Sequence, residues 1–128
     1  MFEKWKIFRA AAEVVERTPL RKDESDYLLH AVTNSPMMPA AVAGVKNQFL
    51  SDAYVAVAYL LAAIVDATSR VEHDDALESL HRGEVAGKAA KVAMLLAGAT
   101  EEEAVACVVQ LVDMHRLSDE KLKESLAI

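Results

Sequence analysis

The sequence predicts a single all-α domain spanning residues 1–128, folded as a compact bundle of six or seven helices. The clearest sign is the segment 53–65, an alanine-rich run without a charged side chain. It is shorter than the about 20 residues that cross a bilayer and too apolar for a surface helix, so it predicts a buried central helix. With one tryptophan, three tyrosines and three phenylalanines, the core consists of Ala, Val and Leu, as in closely packed helices. Four glycines and three prolines leave few turns between long elements.

The first helix is predicted over residues 2–17, where apolar side chains occupy one arc and charged side chains the other. Thr18 and Pro19 end it, because a residue before proline avoids helical backbone. The same two residues predict the N-cap and first position of a second helix, which ends near Thr33.

A third helix is predicted to begin at Ser35 and Pro36, which suit an N-cap and a first helical position. It either continues without a break to about Arg70 or ends before a separate helix that Ser51 and Asp52 cap. The sequence leaves both arrangements open.

Two glycines divide the next part of the chain in this interpretation. A polar helix over residues 72–82 is predicted to end at Gly83, and a second one, over residues 84–97, is predicted to end at Gly98. The sequence therefore predicts two short helices here rather than one long one.

A capping box opens the last part of the chain. Thr100 and Glu103 have the spacing at which each side chain satisfies the other's backbone N–H group. The helix that they begin is predicted to end near His115, and Ser118 is predicted to cap a short terminal helix that ends near Leu126.

Helical projection of the central run separates small side chains from bulky ones. Alanines form one side, which lets another helix approach closely, and Val57, Leu61 and Ile64 form an adjoining bulky side. Such a helix must be surrounded by other helices of this chain or by those of a second copy. We therefore expect a homodimer that forms through an apolar helix face.

Composition restricts the classes of function. The net charge is −6, and the chain is acidic beyond Lys22, which argues against a nucleic-acid partner because phosphate binding needs clustered lysines and arginines. A single cysteine, Cys107, excludes an intrachain disulfide and any paired-cysteine metal or redox site. Charges at Glu3, Lys4 and Lys6 interrupt any apolar leader. We expect a cytoplasmic protein without a membrane span.

One group of residues has the chemistry of a metal site. Glu78 and His81 share a helix face with Asp74, and Glu-x-x-His is the spacing found in carboxylate-bridged di-iron bundles. Those bundles need a second copy of the motif, for which Asp26 and His30 are a partial substitute. The ordinary role of such an acidic helix is solvation of the surface.

A second pattern uses some of the same residues. His30 is followed by His73 and Asp74, and then by Asp113. This order resembles the metal ligands of the HD-type phosphohydrolases, which are all-helical, and the resemblance implies a divalent metal ion and hydrolase activity. Together the two patterns define an alternative function, a helical hydrolase or oxidase with a metal site. Its candidate ligands are His30, His73, Asp74, Glu78, His81 and Asp113.

Two aspartates, Asp66 and Asp113, each end an apolar segment, where an unpaired buried carboxylate would indicate a functional site. Arg70 follows the first by four residues and Arg116 follows the second by three. We therefore expect two structural ion pairs at helix ends.

The first helix carries three aromatic residues, Phe2, Trp5 and Phe8, interleaved with basic ones. They are expected either to pack on the core or to bind a protein partner, because acidic residues on the same helix weaken its attraction to a lipid surface. Met37 and Met38, between two prolines, offer a further adaptable contact.

The chain has no glycine-rich phosphate loop, no Gly-x-Ser-x-Gly motif and no Cys–His pairing typical of a nucleophile. We therefore expect a small interaction or regulatory protein, such as an adaptor, an inhibitor or a regulatory subunit. The alternatives are the metal-dependent enzyme above and a binder of a small apolar ligand between helices.

Overall fold

The computed structural model describes residues 2–70 and 76–127, of which positions 2, 3, 76, 77, 119 and 122 are described by their backbone alone. These residues form six α-helices and no strand, so the all-α prediction is confirmed. The helices are α1 (Phe2–Arg17), α2 (Lys22–Thr33), α3 (Met38–Lys46), α4 (Ala53–Ser69), α5 (Ala76–Leu96) and α6 (Glu101–Ala127).

Helix α4 lies at the centre of the bundle and packs against each of the other five helices. Its small side chains allow the neighbouring helices to approach it closely from several directions. Leu60 and Leu61 are fully buried, and so are the alanines around them. The predicted central position of residues 53–65 is confirmed.

Helix α1 has the predicted bounds, whereas α2 begins three residues later than predicted. Thr18 does not cap α2, because its hydroxyl donates backwards to the Val14 carbonyl of α1 at 2.6 Å. The cap position is taken by Arg21, whose backbone N–H donates to Glu24 Oε1 at 2.9 Å.

The next two helices are separate. Ser35 Oγ accepts from the Met37 N–H at 3.1 Å in a turn, and α3 begins at Met38 rather than at Pro36. Asp52 caps α4, since its Oδ1 accepts from the Val55 N–H at 3.0 Å. The question that the sequence left open, one helix or two, is therefore settled in favour of two.

The predicted helix end at Gly83 is wrong, because α5 continues through it to Leu96. Gly83 serves packing instead: a Cβ atom built on it would lie 2.7 Å from Thr68 Oγ1 of α4. The absence of a side chain lets α5 lie close to α4 at this point. The part of the predicted polar helix over 72–75 lies outside the described residues.

The stop at Gly98 and the capping box after it are both confirmed. Gly98 has φ +102°, and the Ala99 N–H donates to the Met94 carbonyl at 3.1 Å, as in a Schellman motif. The Thr100 N–H donates to Glu103 Oε1 at 3.0 Å, and the Glu103 N–H donates to Thr100 Oγ1 at 3.3 Å.

The predicted break after His115 is wrong, because α6 runs on to Ala127. Ser118 does not cap a new helix, since its hydroxyl donates to the Met114 carbonyl of the preceding turn at 3.0 Å. Among the described residues, no helix combines the length and the apolarity that a membrane span requires.

Candidate functional site

A cleft of about 620 Å³ opens where the α2–α3 turn faces the C-terminal half of α4 and the middle of α6. Its walls are mostly apolar, and its polar side chains come from the α2–α3 turn, α4 and α6. Such a combination of an apolar body and a few polar groups is typical of small-molecule pockets, which measure about 300–1,000 Å³. The lining includes Pro36, Met37, Ile64, Asp66, Arg70 and His115.

A buried carboxylate holds two cations beside this cleft. Asp66 is only 6% exposed, and its Oδ2 lies 2.8 Å from Arg70 Nη2, which confirms the predicted pair within α4. Its Oδ1 lies 3.5 Å from Arg116 Nε of α6. The structure thus pairs Arg116 with Asp66 rather than with Asp113, so the predicted second pair is wrong. The ion pair of Asp66 with Arg116 therefore links α4 to α6.

A histidine makes the second polar link between the same helices. His115 Nε2 lies 3.0 Å from the Tyr59 carbonyl oxygen, which can only accept, so this nitrogen carries the hydrogen. The two rings also contact each other, with centroids 4.5 Å apart. Burial raises the pKa of the Tyr59 hydroxyl above its ordinary value of 10.0.

The outer surface of α1 presents two aromatic side chains, Trp5 at 58% exposure and Phe8 at 45%. We name these two residues the aromatic edge. The guanidinium of Arg9 lies over the Trp5 ring, 5.3 Å from its centroid, in a cation–π contact. Two large aromatic side chains that stay half exposed on one helix are a feature of partner-binding surfaces.

The other three residues predicted to bind a partner lie in different surroundings. Met37 is half-buried and lines the cleft described above, whereas Met38 is 5% exposed and belongs to the core. The backbone of Phe2 lies in α1, and its side chain lies outside the described part of the structure. The predicted group of five is therefore dispersed, with the aromatic edge as its exposed part.

Glu78 and His81 both lie at the exposed start of α5, but each is held by a partner within the protein. Arg82 Nη2 lies 2.6 Å from Glu78 Oε1, and His81 Nε2 lies 2.5 Å from Glu24 Oε2 of α2. The backbone N–H of Arg21, helped by His81, holds the pKa of the Glu24 carboxyl below its usual value. These contacts form a polar seam between α2 and α5.

The remaining metal candidates are placed as follows. His30 is exposed at the end of α2, where its Nδ1 lies 3.2 Å from Asn34 Nδ2, and Asp113 is exposed on α6. Within residues 2–70 and 76–127, no three side chains of the His, Cys, Asp or Glu type gather as metal ligands would. His73 and Asp74 lie outside the described residues, so the six-residue metal site stays a prediction.

The role of His115 could not be found from the sequence. Its contact with Tyr59 joins residues 56 positions apart, and nothing in the surrounding segment distinguishes it from a surface histidine. The signal that was available is the apolar run that precedes it over residues 104–109, which indicates partial burial of the helix.

Comparison of the chain with protein-family models, with curated proteins and with solved structures finds no match.

Proposed function

We propose that this protein is a small, non-enzymatic interaction protein that acts as an adaptor, an inhibitor or a regulatory subunit. The observation that carries the proposal is the aromatic edge of α1. Trp5 and Phe8 are exposed although the interior offers an extensive apolar core, and large exposed aromatics are enriched among the residues that dominate binding energies.

The spacing of the aromatic edge fits a helix that binds in a groove. Trp5, Phe8 and the half-buried Ala12 follow one another at i, i+3 and i+7, which is the arrangement of groove-binding anchors. Lys4, Lys6 and Arg9 are exposed on the same helix. The partner that suits this surface is a protein with an apolar groove and carboxylates along its rim.

We further propose that the protein resides in the cytoplasm and forms a homodimer. Its single cysteine is unpaired by any disulfide, as in reduced compartments. The dimer is supported by further apolar side chains that stay exposed on α6, on a different surface from the aromatic edge.

The proposed docking role is tested with the double variant Trp5→Ala, Phe8→Ala. Partners captured from a lysate on the wild-type chain are compared with those captured on the variant, and Lys22→Ala with Asp26→Ala on α2 is the matched surface control. We expect the double variant to stay folded and to lose its partners, with the control unchanged. Retention of every partner by the folded double variant would show that the aromatic edge does not bind them.

A second function, the binding of a small apolar molecule that carries one hydrogen-bond donor, is supported by the cleft and by Asp66. Asp66 lines the cleft, and its Oδ1, which forms the 3.5 Å ion pair with Arg116, accepts no hydrogen bond from a described residue. Indole, which has an N–H group, is a suitable probe, with benzothiophene as the control that lacks a donor. We expect indole to raise the melting temperature, and Ala63→Trp, which fills the cleft, to abolish that effect. Equal shifts by both probes in both proteins would contradict a specific site.

A further inference from the structure

Helix α6 presents an apolar stripe on its outer surface. Val105, Val109 and Val112 follow one another at i, i+4 and i+7 and therefore share one face of the helix. Val105 is 49% exposed and Val109 is 53% exposed, while Val112 is half-buried. We name these three residues the valine stripe.

Opposite charges stand at the two ends of the valine stripe. Glu102 precedes Val105 by three residues, and Arg116 follows Val112 by four. From Glu102 to Arg116 the spacing alternates between three and four residues, which is the pattern of a helix–helix seam. Both charged side chains are exposed, so the stripe is acidic at one end and basic at the other.

This arrangement is complementary to itself in one orientation only. If two copies of α6 paired in parallel, Glu102 would face Glu102, and Arg116 would face Arg116. In an antiparallel pair with its two-fold axis near Val109, the valines of the two copies contact each other and each Glu102 lies near the other copy's Arg116. A two-fold interface requires such a match between a surface and itself.

We infer that the valine stripe is covered by a second copy of this chain, with the two α6 helices antiparallel. The inference rests on the homodimer proposed above and identifies its contact face. Arg116 is compatible with this role, because its contact with Asp66 is made by Nε, which leaves its terminal nitrogens available to a carboxylate across the interface.

The length of the stripe sets the expected strength of the dimer. From position 102 to position 116 the helix rises by about 21 Å, so the contact is short and has three valines at its centre. An interface of this size belongs to the weak class. We therefore expect a dissociation constant in the micromolar range, with association that weakens as salt screens the end charges.

Sedimentation equilibrium of the full chain tests whether the valine stripe is the dimer interface. We expect Val109→Asp to weaken dimerisation by at least about 100-fold, because it places two carboxylates at the centre of the pair. The matched control is Gln110→Asp, which adds the same charge at an exposed position about 120° around α6 from the centre of the valine stripe. A wild-type chain that stays monomeric up to about 100 μM, or a Val109→Asp variant that dimerises like wild type, would overturn the inference.

The orientation is tested by distances between spin labels in a Cys107→Ala background. Labels at Glu124→Cys lie about 45 Å apart in the antiparallel pair, from 1.5 Å per residue, and within roughly 25 Å in a parallel pair. Labels at Ala106→Cys, near the axis, are close in either case and show that the dimer has formed. A short distance at position 124 would refute the antiparallel arrangement.

These tests are independent of the docking role of α1. The Trp5→Ala, Phe8→Ala variant should dimerise with the wild-type constant, because its changes lie on another helix. If the chain does not dimerise through the valine stripe but the aromatic edge binds partners, only the dimer inference fails. If the chain dimerises but the aromatic edge binds no partner, only the docking proposal fails.

Discussion

Replacement of Gly83 by alanine tests the close approach of α4 and α5 in the bundle. A Cβ atom at this position would lie 2.7 Å from Thr68 Oγ1, a separation that real Cβ contacts avoid. Thr68 is not free to turn away at no cost, because its hydroxyl donates to the Val65 carbonyl at 3.0 Å. The new methyl group must therefore displace either this side chain or the helix.

The magnitude follows from two opposing effects. Alanine in place of glycine inside a helix stabilises it by about 1 kcal/mol, whereas overpacking costs about 1–3 kcal/mol. We expect Gly83→Ala to lower the free energy of unfolding by about 1 kcal/mol. Gly87 is the matched control on the same helix, because its nearest neighbour, Val65 Cγ2, would lie 4.0 Å from the added Cβ atom.

Thermal and urea denaturation of the two variants provide the assay. Gly87→Ala should be stabilised by about 1 kcal/mol, so the melting temperatures of the two variants should differ by about 8 °C for a chain of this size. In a Thr68→Ala background the obstruction is removed, and Gly83→Ala should then be stabilising as well. If Gly83→Ala is as stable as Gly87→Ala in the wild-type background, α5 does not approach α4 as closely as described.

Three further predictions concern capping, charge and pH. Asp52→Ala should lower the free energy of unfolding by about 1 kcal/mol in urea denaturation because α4 loses its cap, whereas Asp52→Asn should change it little. Asp66→Ala should lower it by about 2 kcal/mol, since Arg70 and Arg116 lose their common carboxylate; an unchanged value would show that the cluster is not stabilising. The pKa of Glu24 is lowered in the folded state, so its charge stabilises the fold fully above the ordinary value of 4.5, and this contribution is lost as the pH falls through the lowered value. Urea denaturation across acid pH should therefore show Glu24→Gln less stable than wild type at neutral pH and equal to it at the acid end.

The parts of the fold that the sequence predicted correctly depend on neighbours in the chain. Gly98 and the pair Thr100 and Glu103 satisfy backbone groups within about one helical turn, so the local sequence is sufficient to identify them. Asp52 does the same, but the sequence left open whether a helix begins there. The bounds of α1 follow from a clear division between its apolar and charged arcs.

One error occurred where a distant contact decides the structure, and another where a side chain has two local roles open to it. Gly83 has the appearance of a helix end, but its role is set by Thr68 on another helix. Ser118 has the appearance of a cap, but its hydroxyl bonds to its own helix, and α6 continues past it. At Gly83 tertiary packing outweighed a residue preference that is worth only about 1 kcal/mol.

The candidate functional surfaces also include some that the sequence predicts and some that only tertiary packing creates. The sequence identified Trp5 and Phe8, because large aromatics among basic residues on a predicted helix are visible in the chain itself. It did not identify the meeting of Asp66 with Arg116, since these residues are far apart in sequence and come together only when α6 packs on α4.

Native mass spectrometry of the purified chain after incubation with iron, manganese and zinc tests the central claim, association without a resident metal, most directly. It reports the number of subunits and any bound mass in one spectrum. We expect a dimer with no added mass, whose share rises with protein concentration. A monomer at every concentration that carries the mass of one or two metal ions would contradict it and would favour the histidine–carboxylate site instead.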